Sequence, residues 1–128
     1  MQVFGIGIDI IEIERIEGSI ERLGERFLNR VFTEQERAYC DRQARPAINY
    51  AARFAVKEAV AKAFGTGIGK NLALLDINVL RAESGAPSVE ITGDGASFMQ
   101  QHGITEVKVS LSHAEHYAAA NAMAICTA

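Results

Sequence analysis

An unbroken alanine-rich run in the middle of the chain, residues 47–64, constrains the fold more than any other feature. Pro46 stands immediately before it, and proline suits the first turn of a helix because the N–H that it lacks has no partner there. Gly65 follows immediately and is typical of a helix C-terminus. Apolar residues recur at helical spacing along the run. We therefore predict one long helix over residues 47–64, against which other backbone segments can pack closely.

The segments on either side of this helix predict a mixed fold. Residues 3–10 alternate apolar residues with glycines, which indicates a buried strand. Thr33 and Glu36 form a capping box that opens a helix through about residue 42. Further short helices are predicted over 13–27 and 96–102, and strands over 76–81, 88–92, 106–112 and 117–126. The predicted fold class is α+β, with a largely antiparallel sheet packed against one long helix, in a single domain over residues 1–128.

Composition and charge exclude several classes of protein. Hydrophobic residues make up 48% of the chain and charged residues 23%, which excludes general disorder. A net charge of −3 argues against a general nucleic-acid binder and against binding to anionic membranes. The apolar stretch over residues 117–126 is interrupted by Asn121 and is too short to cross a membrane. Because the N-terminus has no features of a signal peptide and the two cysteines are isolated, we expect a cytoplasmic protein.

Basic residues are concentrated in the first half of the chain. Residues 15–62 carry ten of the thirteen basic residues and seven acidic ones. Arg22, Arg26 and Arg30 follow one another at intervals of four, and like charges at that spacing weaken an isolated helix. Two interpretations stay open: an anionic ligand or partner binds here, or the residues form an ordinary solvated surface.

Two glycine-rich motifs resemble nucleotide-binding loops only in part. Gly5-Ile6-Gly7 begins like a dinucleotide fingerprint, but Ile10 occupies the place of the third glycine and a strand continues there. Residues 65–70 follow a helix and not a strand, so they are not a P-loop. They form either a helix C-cap with a turn or a loop whose N–H groups hold a phosphate. Ser112-His113 lacks a nucleophile elbow, which argues against a hydrolase triad.

Two carboxylates and a lysine form the sharpest candidate site. Asp9 ends an apolar strand, where a carboxylate is either solvated or bound to a cation. Glu58 precedes Lys62 by four residues on the long helix, which suits a surface ion pair or a metal ligand beside a phosphate-binding ammonium. Mg²⁺ typically takes one or two carboxylates together with substrate phosphates, so Asp9 and Glu58 would suffice. Arg53 is predicted to lie close to the same helix face.

Three segments resemble the holo-acyl-carrier-protein synthase family, the short bacterial 4′-phosphopantetheinyl transferases. They are GIGIDIIEIERI (5–16), ARFAVKEAVAKAFGTGIG (52–69) and VSLSHAEHYAAA (109–120), and the likeness covers nearly the whole chain. The resemblance implies transfer of 4′-phosphopantetheine from coenzyme A to a serine of apo acyl carrier protein, leaving adenosine 3′,5′-bisphosphate. It also implies a 4′-phosphopantetheinyl transferase fold, dependence on Mg²⁺, a role in fatty acid biosynthesis, and a homotrimer with active sites at subunit interfaces.

The resemblance assigns roles to individual positions. Asp9 and Glu58 match the metal ligands of the family, and Glu58 and Lys62 are the implied catalytic residues. Positions that match residues near the coenzyme A phosphates are Arg53, Gly65 and Thr66. His113 matches a histidine that approaches coenzyme A from a neighbouring subunit. Arg15 matches a carrier-docking arginine of the family. Arg22 and Arg26 are assigned to the same docking surface.

The chemistry of phosphoryl transfer agrees with these residue types, since it needs positioning and charge neutralisation more than a covalent intermediate. The group that takes the serine proton stays open: the candidates are Glu58 itself and a metal-bound water that Glu58 orients. Two other functions are also considered. A Mg²⁺-dependent hydrolase would cut coenzyme A with water, but the chain lacks the glutamate-rich helix of common nucleotide pyrophosphohydrolases. A non-catalytic binding module would not need to retain Asp9, Glu58 and Lys62 together.

Overall fold

The predicted long helix is present and forms the centre of the fold. In the computed structural model, which describes residues 1–127, this helix spans Pro46–Phe64. Pro46 lies in its first turn, and Gly65 ends it in the left-handed conformation with φ 79°. Most of its side chains are buried, in agreement with the alanine-rich composition. The helix therefore supplies the surface on which the sheet packs.

Within residues 1–127 the chain forms five α-helices, one 3₁₀ turn and five strands. In chain order they are β1 (Gln2–Glu12), α1 (Ile13–Leu23), α2 (Glu25–Val31), α3 (Glu34–Asp41), α4 (Pro46–Phe64), the 3₁₀ turn Leu74–Asp76, β2 (Ile77–Arg81), β3 (Pro87–Ile91), α5 (Gly93–His102), β4 (Ile104–His113) and β5 (Tyr117–Cys126).

The strands form two antiparallel sheets. One has the order β1-β5-β4, and the other is the β2-β3 hairpin. Helix α4 packs on β1 and β5, where alanines of β5 make up much of the buried face. The opposite face of β1 carries Ile6, Ile8 and Ile10, which are 65%, 70% and 67% exposed. The sheet is therefore covered by a helix on one side and presents apolar side chains on the other.

Two glycines of β1 let the backbone of α4 approach the strand directly. A Cβ atom at Gly7 would lie 1.9 Å from the carbonyl oxygen of Ala59, and one at Gly5 would lie 2.0 Å from that of Ala63. Because β1 continues through Glu12, these glycines do not open a nucleotide-binding turn. Their function here is to set a short distance between β1 and α4, the two elements that carry Asp9 and Glu58.

The α+β prediction with antiparallel sheets is confirmed, with differences in detail. The predicted strand start at Asp76 lies in a 3₁₀ turn instead. Its carboxylate accepts hydrogen bonds from the N–H groups of Ala73 at 3.0 Å and Gly95 at 3.3 Å, which fixes the turn and the first turn of α5. Helix α5 consequently begins at Gly93, earlier than predicted. None of the helices formed by residues 1–127 has the length and apolar character to cross a membrane.

A buried ion pair that the sequence did not suggest joins α3, α4 and the start of β2. The Lys57 ammonium lies 2.8 Å from Glu36 Oε1, and both side chains are fully buried. Lys57 also donates hydrogen bonds to the carbonyl oxygens of Leu74 and Ile77, at 3.0 and 2.7 Å. Burial lowers the pKa of Lys57, and the charge of Glu36 opposes that shift. The predicted capping box is present as well, since Thr33 and Glu36 cap α3 reciprocally.

Candidate active site

A cleft of about 510 Å³ lies between β1, α1, α2 and α4. We call it the carboxylate cleft. Among its lining residues are five charged side chains: Asp9, Glu14, Arg15, Arg22 and Glu58. The structure therefore brings together the two predicted metal ligands and two of the three predicted docking arginines. Phe54, four residues before Glu58 on α4, adds an aromatic wall.

Asp9 is held in this cleft by the pairing of β1 and by an ion pair with α4. It lies opposite Ala120 in the β1–β5 register, and its side chain is 16% exposed. The Lys62 ammonium lies 3.1 Å from Asp9 Oδ1 and donates a second hydrogen bond to the carbonyl oxygen of Ile8, at 2.9 Å. The lysine therefore pairs with the strand carboxylate across the β1–α4 contact, and not with Glu58 as the spacing along the helix suggested.

Glu58 is half-buried beside Asp9 and has an unusual electrostatic environment. Burial raises the pKa of Glu58, and the negative charge of Asp9 raises it further, whereas Lys62 lowers it. Asp9 is thus close enough to disfavour ionisation of Glu58, and the two side chains form a site of concentrated negative charge. A cation bound between them would relieve this repulsion.

The donor set of the cleft fits a Mg²⁺ ion that is shared with a substrate. Asp9 and Glu58 offer carboxylate oxygens, which are the ligands that Mg²⁺ prefers in proteins. No group of three or more His, Cys, Asp or Glu side chains within residues 1–127 is arranged to enclose a metal. Because Mg²⁺ commonly completes its shell with water and substrate phosphates, a pair of carboxylates is sufficient.

A second cleft, of about 260 Å³, contains two other predicted residues, Arg53 and His113. We call it the arginine cleft; its polar lining residues are Tyr39, Asn49, Arg53, Arg81 and His113.

The prediction that Arg53 lies close to the face of Glu58 is wrong. Five residues along a helix amount to about 140° of rotation, which directs Arg53 away from Glu58. Arg53 is 6% exposed, and its Nε has no hydrogen-bond partner among the described residues.

The remaining predicted residues line neither cleft. Gly65 ends α4, and its N–H donates to the carbonyl oxygen of Lys62 at 3.0 Å. The Thr66 hydroxyl donates to the carbonyl oxygen of Gly67 at 2.9 Å. Arg26 is exposed on α2, one helix away from Arg22. Tyr39 and Arg81 were missed by the sequence analysis, because no spacing along the chain relates α3 and β2 to Arg53. Asn49 was missed as well, although it lies four residues before Arg53 on the same face of α4.

Comparison with known proteins decides the family. A model described as "4′-phosphopantetheinyl transferase superfamily" matches residues 5–122. The holo-[acyl-carrier-protein] synthase of Protochlamydia amoebophila is 46% identical over 119 residues, which cover 93% of this chain and 95% of that protein. This chain belongs to the same family of phosphopantetheinyl transferases. The resemblance seen in the three sequence segments is confirmed, and the chain is an enzyme of the holo-[acyl-carrier-protein] synthase class.

Solved structures of this family confirm the fold. The holo-[acyl-carrier-protein] synthase of Neisseria meningitidis superposes with a TM-score of 0.90 at 31% identity, covering 97% of this chain and 99% of that one. The Helicobacter pylori holo-[acyl-carrier-protein] synthase, solved in complex with coenzyme A, gives a TM-score of 0.84 at 33% identity, covering 94% and 99%. This phosphopantetheinyl transferase therefore has the same fold as these synthases, one of which was solved with coenzyme A bound.

Proposed function

We propose that this enzyme transfers 4′-phosphopantetheine from coenzyme A to a serine of apo acyl carrier protein in a Mg²⁺-dependent reaction. The products are the holo-carrier and adenosine 3′,5′-bisphosphate, and the reaction supports fatty acid biosynthesis in the cytoplasm. The whole chain forms one transferase domain. The observation that carries the proposal is the convergence of Asp9, Glu58 and Lys62 where β1 meets α4.

The reaction replaces a phosphoanhydride bond of coenzyme A with a phosphoester bond to serine. The serine oxygen forms a bond to the phosphorus that carries the pantetheine arm. The bond from that phosphorus to the oxygen of the departing bisphosphate breaks. Charge accumulates on the phosphoryl and leaving-group oxygens, so neighbouring cations accelerate the step.

Lys62 is the cation that the protein itself supplies. Its ammonium has three N–H donors, and two of them are engaged by Ile8 and Asp9. Its side chain is 52% exposed, so the third donor is available to a phosphate oxygen. The two fixed bonds hold the ammonium in place before substrate arrives.

The two carboxylates have complementary roles. Asp9 and Glu58 would hold Mg²⁺, which when bound neutralises charge on the pyrophosphate oxygens and orients them. Glu58 is also the proposed acceptor of the serine proton. Its carboxylate lines the cleft where the phosphoryl group would bind, which suits that task.

The proposed carrier-docking surface consists of Arg15, Arg22 and Arg26. Arg15 and Arg22 line the carboxylate cleft, and Arg26 is exposed on the adjoining helix. Among the ion pairs formed within residues 1–127, none includes these three arginines. Their charge is thus not neutralised within the chain, which favours attraction of an acidic carrier protein to the rim of the cleft.

A homotrimer is proposed because the candidate residues are divided between two clefts. Arg53 and His113, which match residues near coenzyme A, line the arginine cleft and not the carboxylate cleft. In the proposed trimer, the arginine cleft of one subunit faces the carboxylate cleft of its neighbour. The exposed isoleucines on the outer face of β1 support assembly, because adjacent apolar side chains of this kind are typical of interaction surfaces.

An intact-mass measurement of the carrier tests the proposed reaction. Apo acyl carrier protein is incubated with the enzyme, coenzyme A and Mg²⁺, with a parallel sample that contains a chelator. We expect the carrier to gain one phosphopantetheinyl group, and the chelator to prevent this. Cleavage of coenzyme A with an unmodified carrier would instead support the hydrolase. If fatty-acid, polyketide and peptide carriers all stay unmodified and coenzyme A stays intact, the chain is a binding module.

A further inference from the structure

Tyr39, on α3, lies between two arginines of the arginine cleft. The guanidinium carbon of Arg53 is 4.2 Å from the centre of the Tyr39 ring, in a cation–π contact. The Tyr39 hydroxyl accepts a hydrogen bond from Arg81 Nη1 at 2.8 Å. Arg81 ends β2, so this one side chain joins residues from α3, α4 and the β2–β3 hairpin.

Neither arginine is neutralised by an acidic side chain. Among the ion pairs within residues 1–127, none includes Arg53 or Arg81. Arg53 is almost fully buried, and its unpartnered Nε is a donor without an acceptor. Leaving a buried charged donor unsatisfied costs free energy, so the arrangement is suited to an acceptor that arrives from outside the chain.

We propose that Tyr39 is a positioning residue that holds Arg53 and Arg81 side by side, so that both meet the phosphate groups of coenzyme A. The inference rests on the proposed function, in which Arg53 lies near those phosphates. Tyr39 acts through the two arginines and does not itself touch the reacting atoms.

A tyrosine is suited to this task because it orients a guanidinium without cancelling its charge. An aspartate or glutamate in the same place would fix Arg53 more firmly, but it would compete with a phosphate for the same donors. The ring face attracts the cation and leaves its N–H edge available for hydrogen bonds. The hydroxyl also holds Arg81 by a hydrogen bond, and Arg81 is otherwise exposed at the end of β2.

The test measures ligand binding separately from transfer. The Tyr39→Leu variant loses the ring contacts with both arginines and the hydrogen bond, whereas Tyr39→Phe loses only the hydrogen bond from Arg81. Adenosine 3′,5′-bisphosphate serves as the probe in calorimetric titrations. We expect Tyr39→Leu to weaken its binding about tenfold and to raise the KM for coenzyme A by a similar factor, with kcat and the KM for the carrier changed less than about twofold. Tyr39→Phe should give a smaller loss. The charge-loss control is Arg42→Gln, because Arg42 is exposed at the end of α3 and outside the cleft.

A double-mutant cycle keeps the inference testable if Tyr39→Leu fails to fold. If Tyr39 positions Arg81, the double variant Tyr39→Phe/Arg81→Gln should bind the bisphosphate no more weakly than Arg81→Gln alone. The positioning role would be overturned if the double variant lost affinity by the product of the two single-variant factors. It would also be overturned if a folded Tyr39→Leu variant bound the bisphosphate as tightly as the wild type. A wild-type enzyme that transfers nothing would overturn the proposed function instead, so the two failures are distinguishable.

Discussion

The ammonium of Lys62 lies 3.1 Å from the carboxylate of Asp9, although 53 residues separate them along the chain. This ion pair spans the contact between β1 and α4 at the edge of the carboxylate cleft. Gly5 and Gly7 permit the contact, since any side chain there would collide with carbonyl oxygens of α4. The positions of the proposed metal ligands relative to the lysine are therefore set by backbone packing.

We predict that Asp9→Asn and Glu58→Gln abolish transfer without unfolding the protein. Each variant removes a negative charge that would hold Mg²⁺ against the phosphates, so turnover should fall at least about a hundredfold. The control is Glu21→Gln, an exposed position on α1 outside the cleft. Steady-state rates and thermal unfolding are measured together. Near-normal turnover of either variant in Mg²⁺ would show that the proposed metal site is wrong.

Charge reversal of the docking arginines should affect the carrier and not coenzyme A. For Arg22→Glu/Arg26→Glu we expect the KM for apo carrier to rise at least about tenfold, because attraction of an acidic partner becomes repulsion. The effect should shrink as salt is added. Arg42→Glu, which reverses one charge elsewhere on the surface, is the control for Arg22→Glu alone. Equal increases in both KM values would rule out the docking role.

A charge on the outer face of β1 should prevent assembly. Ile8 is 70% exposed in the single chain and becomes buried in the proposed trimer. Ile8→Lys should therefore shift the mass in light scattering from three subunits to one, with loss of transfer. Leu75→Lys places the same charge at a 42% exposed leucine outside that face and should stay trimeric. A monomeric wild-type enzyme with full activity would contradict the proposed assembly.

Burial of Cys40 predicts a specific dependence of stability on pH. Burial raises the pKa of the Cys40 thiol to about 12, from about 9 when the chain is unfolded. Unfolding therefore releases the thiol proton above pH 9, and the stability that Cys40 contributes at neutral pH is lost as pH rises from about 9 toward 12.

Chemical denaturation at pH 7.5 and pH 10 measures this loss. The wild type should lose roughly 1 kcal/mol more than Cys40→Ala between these values, because the cavity left by alanine costs the same at both. A thiol reagent should also leave Cys40 unmodified in native Cys126→Ser. Equal losses of stability in the wild type and in Cys40→Ala would contradict the expected burial of the Cys40 thiol. Rapid labelling of native Cys126→Ser would contradict it as well.

The sequence predicted those parts of the fold that follow from local patterns. The bounds of α4 followed from Pro46 and Gly65, and its helical character followed from the apolar spacing of the residues between them. The capping box located the start of α3. Residue chemistry made Asp9 and Glu58 a candidate pair of metal ligands, and family resemblance assigned them that role. No spacing along the chain could place them together, because strand and helix meet only through tertiary packing. The closeness of these two carboxylates in the structure agrees with that pairing.

Two features of the site region show where prediction from sequence failed. From the sequence, Arg53 is predicted to lie near Glu58. With 100° of rotation per residue, however, the two side chains lie on different faces of α4 and line different clefts. The buried pair of Lys57 and Glu36 was missed, because each looks like an ordinary charged residue and burial of a charge depends on partners distant in sequence. Both errors concern which face of a helix meets which neighbour.

The most direct test of a transferase site shared between subunits is complementation between two inactive variants. Glu58→Gln disables the carboxylate cleft, and Arg53→Gln weakens the arginine cleft when coenzyme A is scarce. Co-expressed with different tags and purified as mixed trimers, the two should recover about a third of the wild-type rate, since one of the three interfaces in every mixed trimer joins two intact clefts. Mixed trimers as inactive as either parent, measured by the mass of the modified carrier, would contradict a site built from two subunits.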